Sequence, residues 1–164
     1  MRLQVLYFKI NIYEKVSDVM IKDTDKYDES IRLSYNHATR MFLHLKNIVY
    51  KFDKLENPDD ITIEVYRDSI IKKYEMLEDL LWKLLSKHFK STGLNLNNPR
   101  SCYQQAFKEG LLDDIEIWDE ILTSRNVTSH VYNEEDYEKI KKNIVQKYIK
   151  AIEEFLSEFE KRVL

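Results

Sequence analysis

Glycine and proline are nearly absent from this chain, with two of each among 164 residues. Sandwiches, barrels and doubly wound sheets need many tight turns, so the shortage argues against those folds and for long helices. Cysteine is scarcer still. Cys102 stands alone, which excludes an internal disulfide, and no Cys/His spacing resembles a zinc site. A reducing cytoplasm is the expected setting. Positive charge is not in excess: Lys+Arg total 26 against 29 Asp+Glu, for a net charge of −3. No global field therefore draws the chain to nucleic acid or anionic lipid, and any RNA contact must be local or completed by a second subunit. Long apolar runs are missing as well. Lys9, Asn11, Glu14 and Lys15 break up the first residues, leaving neither a signal-peptide core nor 18 consecutive apolar residues. The expectation is a soluble protein with no membrane segment.

What is present is helical periodicity. The 43% apolar composition and the length suit one domain with a real core. Ile31, Tyr35, Ala38, Phe42, Leu45, Val49 and Phe52 recur at alternating steps of four and three, predicting a helix from Asp28 to Phe52. Asn57-Pro58-Asp59-Asp60 reverses the chain. A second series, Ile63, Tyr66, Ile70, Tyr74, Leu77, Leu81, Leu84 and His88, runs to Gly93, and the two helices should pair antiparallel. Asn98-Pro99 opens a short third helix closed by Gly110. Asp113 and Asp114 precede a fourth, striped by Ile117, Trp118, Ile121 and Leu122. Asn133 and the acids after it begin a fifth, with Tyr137, Ile140, Ile144, Tyr148, Ile152, Phe155, Phe159 and Val163 on one face. The expected fold is all-α, an up-and-down bundle of about five helices over residues 28–164. Residues 1–27 form an extension of uncertain structure: Leu3, Val5 and Tyr7 alternate like a strand, whereas Tyr13, Val16 and Met20 could mark a helical turn.

Chemistry concentrates in Arg125-Asn126-Val127-Thr128-Ser129-His130-Val131-Tyr132. Arg offers phosphate a permanent planar cation, and an ordinary imidazole exchanges a proton near pH ~6.5. On a regular helix Asn126 and His130 share a face, but Arg125 and His130 are turned apart by about 140°. One copy is thus a poor site by itself, and a twofold homodimer would place two motifs face to face. The plainer alternative stays open: Arg125 pairs with Asp119 or another acid, His130 caps the helix end and Tyr132 packs.

This stretch resembles the HEPN superfamily signature, an Arg, four residues, a His, one residue and a Tyr. Tyr74-Glu75, Asp79-Leu80-Leu81-Trp82-Lys83, Pro99-Arg100, Ala106-Phe107, Gly110-Leu111-Leu112 and Trp118 resemble, in order, landmarks of bacterial nucleotidyltransferase substrate-binding proteins. The likeness spans roughly residues 28 to 160. It implies a helical bundle similar to the C-terminal domain of KNTase-type enzymes, usually a homodimer, encoded beside a minimal nucleotidyltransferase. It further implies a toxin of the HepT type: a metal-independent endoribonuclease, silenced when the partner transfers AMP to the motif tyrosine. Arg125 and His130 would then be catalytic, Asn126 and Asp79 supporting, and Tyr132 the AMPylated residue. At Asp79 the family's usual residue is Glu, and Tyr74 replaces a more usual Phe.

The implied reaction needs neither metal nor cofactor. His130 would take the 2′-hydroxyl proton and Arg125 would stabilise charge on the attacked phosphate, leaving a 2′,3′-cyclic phosphate. A non-catalytic substrate-binding subunit is the alternative function.

Other candidates read more plainly. His37 and His44, seven apart, lie about two helical turns from each other and suit no shared metal. His88 reads as a hydrogen-bonded core-edge residue and Cys102 as a packing residue. Glu75, Glu78 and Asp79 read as a partly solvated charged face. Lys72, Lys73, Lys83, Lys87, Lys90 and Arg100 form the densest basic region, expected to be solvated unless it borders a dimer cleft.

Overall fold

The computed structural model describes the backbone of residues 2–128 and 134–164, with side chains from residue 28 onward in those ranges. Every regular element among the described residues is helical, as the scarcity of turn-formers predicts: α1 (Arg2–Asp53), α2 (Asp60–Ser91), α3 (Pro99–Lys108), α4 (Ile115–Val127), α5 (Glu134–Asn143), a π-helical segment (Ile144–Tyr148) and α6 (Ile149–Val163). The last three run on without a break, so the described residues form five helical rods.

α1 and α2 form the expected antiparallel hairpin. Phe52 stacks on Tyr66 at 5.4 Å between centroids at one end, and Lys87 reaches Ser34 at 2.6 Å at the other. Asn57 takes a positive φ of 52° in the reversal, and the Asp59 carboxylate accepts from the Thr62 amide at 2.7 Å to cap α2. Gly93, at φ 91°, ends α2 where a side chain would be strained. Asn98 caps α3 through the Ser101 amide, and Asp114 caps α4 through the Glu116 and Ile117 amides.

The predicted seams form the core. Ile31, Tyr35, Ala38, Phe42, Leu45 and Val49 of α1 are buried against Ile70, Tyr74, Leu77, Leu81 and Leu84 of α2 and against α6. Trp118 fills the centre, with Tyr103 at 4.9 Å and Phe155 at 5.4 Å between ring centroids. Phe155 leads to Phe159, which meets both Tyr35 and His88.

Two elements differ from the sequence reading. The strand-like alternation at Leu3, Val5 and Tyr7 does not break α1, which begins at Arg2 and runs through the uncertain segment. Neither Gly nor Pro occurs between residues 2 and 53, so nothing stops a helix once it has nucleated. The final helix is interrupted by the π-helical segment. Its buried series takes three successive steps of four, Ile140 to Ile144 to Tyr148 to Ile152, and each step overshoots an α-helical turn by about 40°. Widening the backbone to i→i+5 bonds absorbs that drift and keeps Ile144 and Tyr148 facing the core.

Candidate functional site

α4 lies against α2 because Tyr74 donates its hydroxyl to the Ile121 carbonyl at 2.7 Å, inside the core. Burial raises the Tyr74 phenol's pKa, keeping the proton that this bond needs. The contact sets the last turn of α4, with Arg125, beside the middle of α2. Arg125 Nε stands 3.7 Å from Glu78 Oε2; the arginine side chain is 42% exposed and the glutamate 3%. The guanidinium thus faces solvent with one edge resting on a buried carboxylate. Glu78 Oε1 accepts the Tyr103 hydroxyl at 2.8 Å, and Tyr103 is locked against Trp118.

Burial raises the pKa of Glu78; the Tyr103 hydrogen bond and the Arg125 charge pull it down, and Asp79 pushes it up again, for a net rise. The same burial lifts the Tyr103 phenol well above its ordinary value, so Tyr103 acts as donor. A turn earlier on α2, Glu75 Oε1 lies 2.6 Å from the Thr128 hydroxyl, which is also 2.6 Å from the Arg125 carbonyl. These contacts tie the end of α4 to α2 directly before residues 129–133.

The expected site residues are placed as follows. Arg125 and the exposed Asn126 lie on the last turn of α4. His130 and Tyr132 lie outside the described residues. Asp79, expected to support Arg125, has its carboxylate 2.6 Å from Lys83 Nζ and is 40% exposed. One residue is about 100° of helical rotation, so Glu78 enters the core and Asp79 turns towards solvent. The reading of Glu78 as part of a solvated face is therefore corrected: it is 2% exposed. Arg125 does meet an acid, as the plainer alternative held, but that acid is Glu78; Asp119 stands 4.0 Å from Arg100.

Sequence reasoning missed Glu78 and Tyr103. The signal was present, since Tyr74, Glu78, Leu81 and Leu85 are spaced four, three and four apart and all four are buried.

Two cavities flank the end of α4. One of about 750 Å³ lies between α2 and α5, and Thr128 and Glu134, which bracket residues 129–133 in the chain, both line it. Arg67 crosses it, bonding to Glu134 and lying 5.1 Å from the Tyr137 ring centroid. The other, about 980 Å³, lies between α4 and the rod beginning with α5, where Lys147 and Glu120 pair at 3.1 Å.

The lesser candidates are placed as follows. His37 and His44 are exposed, and no cluster of three or more His, Cys, Asp or Glu fit for a metal occurs among the described residues. His88 packs on Phe89 and Phe159 with Glu109 at 4.0 Å, and burial lowers its pKa. Cys102 is fully buried, its thiol pushed up to about 11. Lys72 and Lys83 pair with Glu75 and Asp79, and Arg100 stands near Asp119. No helix among the described residues is long and apolar enough to cross a membrane.

Residues 33–161 match the family model described as nucleotidyltransferase substrate binding protein like. A Thermus thermophilus protein of known crystal structure is similar, with 26% identity over 73% of this chain and 96% of that one and a TM-score of 0.61. A Haemophilus influenzae protein, described as revealing the fold of a substrate binding domain of a nucleotidyltransferase, superposes with a TM-score of 0.70. It shares 18% identity over 77% of this chain and 98% of that one. Among curated proteins none matches.

Proposed function

Because the chain belongs to the family of nucleotidyltransferase substrate binding protein like chains, we propose that it is a helical subunit that binds substrate for a separate nucleotidyltransferase. The observation that carries this reading is the family match itself, which runs from the first turns of the packed part of α1 almost to the end of α6. Arg125 supplies the charge that such a role needs. It is fixed at one edge by Glu78 and open to solvent at the other, ready to meet a phosphate. A homodimer would bring two copies of the Arg125 region together around one substrate.

A second reading is favoured by one observation, the spacing of Arg125, His130 and Tyr132 in the sequence. In it the chain is a metal-independent endoribonuclease with Arg125 and His130 catalytic and Asn126 in support. AMP added to Tyr132 by the nucleotidyltransferase would place negative charge beside Arg125 and compete with RNA for it.

One set of assays separates the two. Purified protein is incubated with RNA in EDTA, beside Arg125→Ala and His130→Ala. The binding-subunit reading expects no cleavage by any of the three. Cleavage by the parent alone replaces it with the ribonuclease reading. Addition of ATP and a minimal nucleotidyltransferase from the same organism then reads the switch, and a gain of one AMP at any residue other than Tyr132 removes it.

A further inference from the structure

Acidic residues run through most of the chain but are missing from two windows. No Asp or Glu occurs from residue 30 to residue 52, where Arg32, Arg40, Lys46 and Lys51 lie, or from residue 80 to residue 108, where Lys83, Lys87, Lys90, Arg100 and Lys108 lie. The antiparallel pairing of α1 and α2 sets part of one window beside part of the other. The Lys87–Ser34 bond marks the edge of α2 that borders α1, and Lys73, Met76, Leu80, Lys83, Lys87 and Lys90 recur along that edge at steps of three and four. On α1, His37, Arg40, His44, Asn47 and Lys51 follow the same steps away from the buried seam, and all five are exposed. The hairpin thus carries one strip of cations.

Little neutralises it. Arg40, Lys51, Lys73 and Lys90 make no ion pair among the described residues. Of the carboxylates between Lys73 and Lys90, Glu78 is buried, Glu75 turns to Thr128 and Lys72, and Asp79 is taken up by Lys83 at 2.6 Å. From Lys73 to Lys90 the strip runs about 26 Å, and paired helices stand about 8–10 Å apart. Lysines one turn apart repeat at about 5 Å, a pitch that suits a polymer of regular phosphates rather than the scattered carboxylates of a protein surface. An anionic membrane asks for a broad apolar face, whereas Met76 is the one exposed large apolar side chain from Lys73 to Lys90. Asn36 and Asn47, exposed one and two turns from Arg40, can both donate to and accept from a ribose 2′-hydroxyl.

We propose that the strip along α1 and α2 is the track on which this chain holds the backbone of a single RNA strand. The proposal rests on the reading of the chain as a substrate-binding subunit and names RNA as the substrate class. Glu78 and Lys87, nine residues apart, lie on opposite sides of α2, so Arg125, held on Glu78, flanks the helix across from the strip. A helix is about 10–12 Å across with its side chains. A strand gripped by the strip therefore crosses one helix width to bring a phosphate to Arg125.

Fluorescence anisotropy of a short labelled single-stranded RNA titrated with the full chain tests it. One variant combines Arg40→Gln, Lys73→Gln and Lys90→Gln; a second makes the same change of charge on the last rod with Lys142→Gln, Lys150→Gln and Lys161→Gln. The strip variant should bind about fiftyfold more weakly than the parent near physiological salt, with a salt slope shallower by about 2, the share of three lost phosphate contacts. The second variant should bind like the parent, and DNA of the same sequence should bind more weakly than RNA. Phosphatidylserine vesicles and a minimal nucleotidyltransferase from the same organism are titrated as other occupants. Absence of RNA binding, equal loss in both variants, DNA bound as tightly as RNA, or a strip variant that loses vesicle or nucleotidyltransferase binding but keeps RNA each overturns the proposal. Thermal melts show that both variants fold. A parent that associates with the nucleotidyltransferase but ignores RNA leaves the subunit assignment standing, and one that binds RNA on the strip without associating removes that assignment instead.

Discussion

Glu78 is the carboxylate on which the orientation of Arg125 depends, and it is also an energetic burden on the fold. Its pKa is raised by burial, so its contribution to stability is fully present below the unfolded value and is lost as pH rises through the folded one. Glutamine keeps an acceptor for the Tyr103 hydroxyl without the buried charge. Glu78→Gln is therefore expected to melt higher than the parent at pH 8, the gap closing as pH falls through the carboxylate range. Thermal melts across pH 4–8 check this, and a gap that stays constant with pH goes against it. Tyr74→Phe is the complementary change. It leaves the Ile121 carbonyl without its donor and should cost about 1 kcal/mol in urea unfolding while loosening α4 on α2. Of the candidate residues, Arg125 was legible because a basic residue in a phosphate-suited motif is conspicuous. Glu78 was not, because a glutamate beside Asp79 on a long helix looks solvated until its four-three-four spacing with Tyr74, Leu81 and Leu85 is counted.

At the level of elements, the fold was written mainly in periodicity and punctuation. Asn57-Pro58, Gly93, Asn98-Pro99 and Gly110 divide the chain where the structure divides it, and the four-three seams of α1 and α2 are the buried faces. Periodicity says little about where a helix begins when no breaker precedes it, which is why the start of α1 was missed. The π-helical segment was missed because a run of four-residue steps still reads as a helix face. Deleting Gln146, an exposed residue inside that segment, would turn the step from Ile144 to Tyr148 into one of three. The rod should then become α-helical throughout, keeping its helical circular dichroism and losing less than about 2 kcal/mol, below the cost of a core truncation. Loss of cooperative unfolding would show that the π-helical geometry serves something other than the seam.

On the scale of the whole molecule, the family match marks the extent expected of the bundle. That match begins at residue 33 and ends at residue 161. Removal of residues 1–27 should leave a folded bundle whose melting temperature falls by no more than a few degrees. Trp118→Ala, at the centre of the aromatic chain, should cost about 3–5 kcal/mol. The contrast between these two variants in one denaturation series locates the domain. Partnership is the remaining property at this scale, and the central claim is that the chain serves a separate nucleotidyltransferase. Native mass spectrometry of the protein mixed with a minimal nucleotidyltransferase from the same organism tests that claim most directly. The account predicts one complex containing both chains at micromolar concentration, and two unassociated species under the same conditions would contradict it.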